Sequence, residues 1–584
     1  MKRTSALLIV TALALGACAD QGPGSAGSSE APGAAAPFDV VIRGGKVVDG
    51  SGNSWIYADV GIRGGRIAAI GRLDGAAAQR TIDATGKVVS PGFVDMHTHS
   101  DYTLLVDGRA ESKIRQGVTT EVLGEGTSPG PVQGETEAST REALARYGLG
   151  EPDWRTLGEY FSRLERQRTA TNVASYVSAG QVRVSVMGYE DRPPSPEELE
   201  EMRGLVAEAM EDGAQGLVAS LEGPYEVTTT EELIELAKVV SRYGGIYATH
   251  LRGQAETLFE SIAEAIEIGE KGGVPVQIFH IKVAGKPNWG KMPEALALVE
   301  AARARGLDVT ADQYPYIAGA HPFLPLLPTW ALEGGVEKTM ERLRDPELRG
   351  RMKRDIEQGL EGWRGNYVQQ TGGWGGVMIS DTRTEGNKNL IGKTLADNGA
   401  MRGKDPAEAF FDLMLEENGQ VFGILFHMNE EDVQTALRAP WVSIGSDGTA
   451  LAVEGPLSEG QPHPRNFGTF PRVLGHYVRE LKILPLEMAI RKMTSAGAQR
   501  LGLRDRGLLR EGYWADVVVF DPERVIDKAT FEDPKQYPEG IDYVLVNGTV
   551  VLENGTHTGA LPGQTLRGPG YRGGAAEARA GSKE

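Results

Sequence analysis

Short apolar runs bounded by glycine and turn residues fill both ends of this chain, whereas its middle repeats with a helical period. Between Phe38 and Val89 the segments Asp39-Val40-Val41-Ile42-Arg43, Lys46-Val47-Val48, Val60-Gly61-Ile62 and Arg66-Ile67-Ala68-Ala69-Ile70 are separated by Gly-Gly, Asp-Gly and Ser-Gly-Asn. That pattern predicts β-strands joined by tight turns. The same texture returns in Ala515-Asp516-Val517-Val518-Val519-Phe520, Tyr543-Val544-Leu545-Val546 and Thr549-Val550-Val551-Leu552. Two strand-rich pieces at opposite ends of a chain can pair into one small β-domain around an inserted domain.

In the middle, Ser195-Pro196-Glu197-Glu198 combines an N-cap serine, proline at the first helical position and a capping-box glutamate. Leu199, Met202, Leu205, Val206 and Ala209 follow at helical spacing, Gly213 stops the helix, and Gly216-Leu217-Val218-Ala219-Ser220-Leu221 reads as a buried strand. The unit repeats. Thr229 and Glu232 open a helix that Gly244-Gly245 closes, and Ile246-Tyr247-Ala248-Thr249-His250 is the next strand. A helix over about 256–271 leads to Pro275-Val276-Gln277-Ile278-Phe279-His280, and one over 292–305 leads to Leu307-Asp308-Val309-Thr310-Ala311-Asp312. Helix–strand units of this length imply an α/β fold with a parallel sheet and right-handed crossovers. In a (β/α)8 barrel, the reactive residues sit at the C-terminal ends of such strands.

Composition narrows the class. With 584 residues, 40% of them hydrophobic and 24% charged, the chain reads as a soluble globular protein of two or more domains. A net charge of −19 without a basic run argues against a nucleic-acid partner. Lys2 and Arg3 precede an apolar stretch from Ala6 to Leu15, too short to span a bilayer but suited to a signal peptide. It ends in Leu15-Gly16-Ala17-Cys18, which resembles a bacterial lipoprotein processing site, and Cys18 is the only cysteine. The expectation is a signal peptide over 1–17, lipidation of Cys18 and a flexible linker over 18–37 rich in Gly, Ala, Ser and Pro. A disordered tail is expected over 568–584. The protein would then work outside the cytoplasm, on the periplasmic side of the inner or outer membrane or at the cell surface, attached to a membrane by lipid alone. No cysteine would remain for a disulfide, a nucleophile or a metal.

The candidate chemistry lies at strand ends. In Val94-Asp95-Met96-His97-Thr98-His99 the two histidines are at positions i and i+2, which share one side of a strand about 7 Å apart. His250 and His280 end successive strands, and Asp447 follows the apolar Val442-Ser443-Ile444 before Gly448. Neutral imidazole is the commonest ligand of zinc and similar ions, and a carboxylate often completes a catalytic set. Each residue alone has a simpler role: a hydrogen-bonded core histidine, or a turn-forming aspartate. Five such residues at the strand ends of one sheet point to a metal.

These residues also carry a family resemblance. Pro91-Gly92-Phe93-Val94-Asp95-Met96-His97-Thr98-His99, Thr249-His250-Leu251-Arg252, His280-Ile281-Lys282-Val283-Ala284-Gly285, Tyr314-Pro315-Tyr316 and Gly445-Ser446-Asp447-Gly448 resemble the amidohydrolase superfamily, and within it the N-acyl-D-amino-acid deacylase (D-aminoacylase) branch. His463-Pro464-Arg465, Gly468-Thr469-Phe470-Pro471-Arg472 and Gly512-Tyr513-Trp514-Ala515-Asp516 extend the match, which spans roughly Asp39 to Gly568. The resemblance implies a (β/α)8 barrel over 91–504, interrupted by an insertion at about 319–420, and a small β-sandwich built from 38–90 and 505–567. It implies one or two ions, zinc or another divalent metal. D-aminoacylases use a cysteine after the second strand, where this chain has Gly126, so Glu125 is the expected bridging ligand beside His97, His99, His250, His280 and Asp447. Glu222 and a carbamylated Lys282 are the alternatives. Lys282, Tyr225 and Arg383 are expected to bind substrate, Arg383 from within the insertion, where Gly372-Gly373-Trp374-Gly375-Gly376 could form a mobile cover.

The reading that follows is metal-dependent hydrolysis of a linear amide, namely deacylation of N-acyl-D-amino acids by a metal-bound hydroxide, with Asp447 as the proton carrier. A dipeptidase for D-residue peptides, a cyclic-amide hydrolase of the dihydroorotase or hydantoinase kind, and a non-catalytic binding lipoprotein are the competing readings. Gly126-Thr127-Ser128-Pro129-Gly130 matches a serine-hydrolase elbow, but Pro129 lacks the N–H that such an elbow uses as an oxyanion donor.

Overall fold

The computed structural model of the protein describes residues 37–361, 363 and 365–573. The expected signal peptide, Cys18 and nearly all of the linker lie outside the described residues, as do positions 574–584. Among the described residues no helix is long and apolar enough to cross a membrane.

Both chain ends enter one nine-stranded sheet. Phe38–Val47 pairs with Ile56–Arg63, Ala78–Asp83 and Val88–Pro91, and the last of these runs antiparallel to Val517–Phe520. Beyond it come Ile541–Val546, Thr549–Glu553 and Thr556–His557. The two-residue period of a strand divides these side chains between two cores. Val517, Val519 and Leu545 join Val40, Ile42, Val60 and Ile62, while Val518, Phe520, Val544 and Val546 pack with Phe93, Ile114, Val118 and Phe470. Each fully buried valine or phenylalanine contributes about 1.5–3 kcal/mol, so this double-faced strand region anchors the sheet to the α/β part of the chain. Residues 568–573 are a correction to the expected disordered tail. The Gly568 N–H donates to Gly213 O and the Arg572 N–H to Glu211 O, so backbone hydrogen bonds hold this segment at the end of the helix Pro196–Asp212.

The middle of the chain is an α/β assembly. Phe93–Asp95, Val118–Leu123 and Asn172–Ser175 form one parallel sheet. Val177–Ser178, Gly216–Ser220, Ile246–His250, Val276–Ile278, Val309–Gln313 and Val442–Ile444 form another, also parallel throughout. The helix Pro196–Asp212 has the expected serine cap, capping box and left-handed Gly213, and Thr229 caps Thr230–Tyr243. At Gly216 the neighbouring strand comes so close that a Cβ would lie 2.0 Å from Ile246 O, so only glycine fits. The insertion has its own core and a three-stranded antiparallel sheet of Gly319–Pro322, Phe422–Leu425 and Val377–Asp381. Its last strand falls just past the expected boundary at 420, because Phe422–Leu425 is the central strand to which the other two are bonded.

The first and last strands of these parallel sheets meet at a seam. Thr98 and Gly448 form a parallel bridge, the Asp447 N–H donates to His97 O, and the His99 N–H donates to Gly448 O. Behind it, the fully buried Lys113 donates from Nζ to Asp95 Oδ2 at 2.9 Å, Ser446 Oγ at 2.8 Å and Gly448 O at 3.0 Å. Asp95 Oδ1 accepts from the Ser446 N–H at 2.8 Å. Lys113→Met would leave Asp95 charged and unpaired in the interior, and is expected to lower the unfolding free energy by roughly 3–5 kcal/mol. Urea denaturation measures this, and a loss below about 1 kcal/mol, within the range of an exposed pair, would refute the clamp.

Candidate metal centre

Parallel strands in register bring their C-terminal ends to one level, and the predicted ligands occupy that level. His97 and His99 follow Phe93–Asp95, Glu125 follows Val118–Leu123, His250 ends its strand, and His280 and Asp447 lie just past theirs. The H-x-H segment is not the regular strand expected. Pairing stops at Asp95, Met96 and His97 form a bend, and Thr98 re-engages through Gly448. The bend still keeps both imidazoles on one side, with ring centroids 5.4 Å apart. His280 and Asp447 carry positive φ angles of 33° and 50°, a conformation that costs on the order of 1–3 kcal/mol per residue and turns each side chain off its strand. The Asp312 carboxylate holds the first of these turns, with Oδ1 accepting the His280 N–H at 2.8 Å.

Six side chains converge as two groups that share Glu125, one of His97, His99, Glu125 and Asp447, the other of Glu125, His250 and His280. In the first, Glu125 Oε2 lies 3.2 Å from His97 Nε2 and 3.1 Å from His99 Nε2, and Asp447 Oδ1 lies 3.5 and 2.9 Å from the same atoms. In the second, Glu125 Oε1 is 3.4 Å from His250 Nδ1, and His250 Nδ1 is 3.1 Å from His280 Nε2. Glu125 therefore faces one group with each oxygen. Glu222 is excluded from that bridging place, because its Oε2 lies 3.3 Å from the opposite nitrogen of His250, Nε2.

The electrostatics are those of a site built for positive charge. Burial disfavours protonated His97 and His99, yet Asp447 and Glu125 outweigh it and push them up to about 9 and about 10. Burial likewise opposes charge on Asp447 and Glu125, but Arg465 and His97 for the former, and His97 and His250 for the latter, hold both carboxyls well below the usual range. Burial, reinforced by Lys282, keeps His280 neutral, the form that binds metals. The buried Glu125 Oε1 and His97 Nδ1 have no hydrogen-bond partner among the described residues. Imidazole and carboxylate donors without thiolate suit zinc or a comparable divalent ion, and the residues present fit one in each group.

A cavity of about 760 Å3 opens over these residues, lined at its base by His99, Glu125, His250, His280, Lys282 and Asp447 and above by His321, Ser380 and Phe422 of the insertion. Lys282 Nζ lies 2.8 Å from His280 Nδ1, and burial pushes the ammonium down to about 8. Two expected substrate residues are elsewhere. Tyr225 turns its ring over Gly180, where the missing side chain leaves room, and does not line the cavity. Arg383 is exposed, and its backbone N–H donates to Glu417 at 2.6 Å within the insertion. Trp374 of the glycine-rich segment packs on Phe410 in the insertion's own core and does not line the cavity.

Other residues join the site, among them two of the motif His463-Pro464-Arg465, to which the sequence assigned no role. Arg465 donates to Asp447 Oδ2 at 2.6 Å, and its own N–H donates to His463 Nδ1, whose Nε2 is bound to Ala318 O. Asp312 carries the same signal as Asp447, an acid closing an apolar strand. His321 lies buried with Nδ1 3.5 Å from Glu222 Oε2, and Tyr367 OH donates to that oxygen at 3.4 Å. Neither His321 nor Tyr367 has a sequence signal, because the insertion that carries them folds back over the strand ends.

Comparison with known proteins agrees with this geometry. The model of the amidohydrolase family matches residues 80–552. D-aminoacylase of Alcaligenes xylosoxydans xylosoxydans is 38% identical over 532 residues, 91% of this chain and 98% of the relative. The solved N-acyl-D-glutamate deacylase of Bordetella bronchiseptica, complexed with zinc and a phosphonate inhibitor, superposes with a TM-score of 0.76 at 32% identity, covering 91% of this chain and all of the other. A D-aminoacylase structure described by its binuclear metal centre gives a TM-score of 0.75 at 36% identity, with 91% and 100% covered. With its donors gathered at the strand ends and a match along most of its length, this chain belongs to the amidohydrolase family.

Proposed function

We propose that the chain is a metal-dependent amidohydrolase that deacylates N-acyl-D-amino acids. The observation that carries this reading is Glu125, buried between two donor groups with one oxygen toward each. With Asn172–Ser175 and Val177–Ser178 taken as one strand interrupted at Tyr176, the parallel strands occupy eight positions, and these, joined through Thr98 and Gly448, support a closed (β/α)8 barrel over 91–504. The shared core of Val40, Ile42, Val517 and Val519 supports a sandwich of 38–90 with 505–567. His97, His99, Glu125 and Asp447 would hold one zinc or similar ion, and Glu125, His250 and His280 a second.

A divalent ion bound there supplies Lewis acidity, which acidifies a water and polarises an acyl carbonyl. The chain's own residues supply the rest. Asp447, kept ionised by Arg465, accepts the attacking water's proton and returns it to the leaving nitrogen. Lys282 and Arg465 give the cavity two cations for the carboxylate of an amino acid. Asp312 keeps His280 in its turn, and the insertion covers the strand ends so that the amide is shielded from bulk water.

Removing metal with a chelator is expected to abolish hydrolysis of N-acetyl-D-amino acids, with recovery on adding zinc and little turnover of the L enantiomers. Asp447→Asn should lower kcat by roughly 10²–10⁴-fold while the remaining donors keep most of the metal. Near-normal turnover in that variant, with metal content measured on the same sample, would remove Asp447 from the reaction. We further propose that the protein is a lipoprotein held outside the cytoplasm through Cys18. Cell fractionation tests this: Cys18→Ala is expected to move the protein from the membrane to the soluble fraction, and an unchanged distribution speaks against the tether.

A further inference from the structure

The two donor groups leave Glu222, a cavity carboxylate set against His250, outside them. Glu222 lines the catalytic cavity and also a smaller one of about 80 Å3 beside it, lined by Tyr367, Gln370 and His427 among others. Its three side-chain contacts, with His250 Nε2 at 3.3 Å, His321 Nδ1 at 3.5 Å and Tyr367 OH at 3.4 Å, all converge on Oε2. Among the described residues, Oε1 has no hydrogen-bond partner and no lysine or arginine nitrogen lies within 4 Å of the carboxylate. Its side chain is 30% exposed, in contrast to 6% for Glu125. The imidazoles beside it do not supply the missing cation, since burial holds both His321 and His427 neutral, the latter down to about 3. His427 also leaves both ring nitrogens without a hydrogen-bond partner among the described residues.

The cavity is therefore polarised. Lys282 lies against His280 and Arg465 against Asp447, and Glu222 lies across the width of the His250 ring from the metal-facing nitrogen. A substrate with one carboxylate and nothing else charged would leave Glu222 desolvated and unpaired, which is costly, and a second carboxylate near it would be repelled. We infer that Glu222 is a specificity residue for an ammonium-bearing substrate, so that this enzyme acts on N-acyl-D-amino acids carrying a cationic amine next to the scissile amide. The inference rests on the deacylase reading above and narrows its substrate class. Two compounds present that amine from opposite sides of the amide: an aminoacyl-D-amino acid, with the ammonium on the acyl half, and an N-acyl-D-lysine, with the ammonium on the side chain.

The test is a set of isosteric pairs on the zinc-loaded full chain: L-alanyl-D-leucine against propanoyl-D-leucine, and N-acetyl-D-lysine against N-acetyl-D-norleucine. In at least one pair the ammonium compound is expected to have the higher kcat/KM by about ten-fold or more, and the pair that responds identifies which half of the substrate meets Glu222. Glu222→Gln, which keeps an acceptor for His250, should erase that preference and leave bound metal unchanged. If both wild-type pairs show no preference, or if Glu222→Gln lowers all four compounds by the same factor, Glu222 only orients His250 and the inference falls. The wild-type pairs decide it even if the variant does not fold. Hydrolysis of none of the four compounds would overturn the deacylase reading itself.

Discussion

The backbone seam between His97–His99 and Asp447–Gly448 is the constraint on which the rest of the site depends. Two hydrogen bonds and one bridge join segments 350 residues apart in the chain, and through them both carboxylate and imidazole donors of the first group are set at contact distance. Lys113 supports the seam from behind with three hydrogen bonds, satisfying carbonyl, hydroxyl and carboxylate together. Satisfying every member is what makes a buried polar cluster stable, since a partly satisfied one is worse than an apolar core.

Two carboxylates and four imidazoles in one buried cluster are stable only when their charges compensate. The structure answers with protons drawn to His97 and His99, with Arg465 on Asp447, and with a neutral His280 beside Lys282. A divalent ion bound by the same donors would supply that positive charge in place of the protons. Glu125 fits this logic, since its two oxygens reach both donor groups while adding a charge that burial would otherwise suppress. Extra carboxylate charge is balanced nearby by Arg465, whose position is in turn fixed by His463.

The insertion gives the site its individuality. Its three-stranded sheet stands over the strand ends and brings His321 to the Glu222 side of the cavity, while Tyr367 reaches the same carboxylate. The two donor groups lie at the floor of the cavity, and the insertion forms the wall above them. Selectivity by such a wall follows from the cost of leaving a buried polar group unpaired rather than from the strength of any one contact.

Read by itself, the sequence determined the period of each element, the caps and glycine stops of the helices, the parallel order of the units, and the placement of candidate donors at strand ends. These are local properties: side-chain alternation, helical spacing and cap chemistry depend on neighbours a few residues away. It misplaced Tyr225 and Arg383, gave Arg465 no role, and passed over His321 and Tyr367, because their positions depend on how a long insertion and a short turn fold back in space. It also treated 568–573 as tail, since a glycine-rich composition does not disclose backbone hydrogen bonds to the end of a distant helix. Only the tertiary structure decided that Glu125 rather than Glu222 stands between the two donor groups. The two acids follow Val118–Leu123 and Gly216–Ser220, with Asn172–Ser175 and Val177–Ser178 between them, and the difference of one imidazole ring, facing Nδ1 or Nε2 of His250, is set by packing and not by the chain's local pattern.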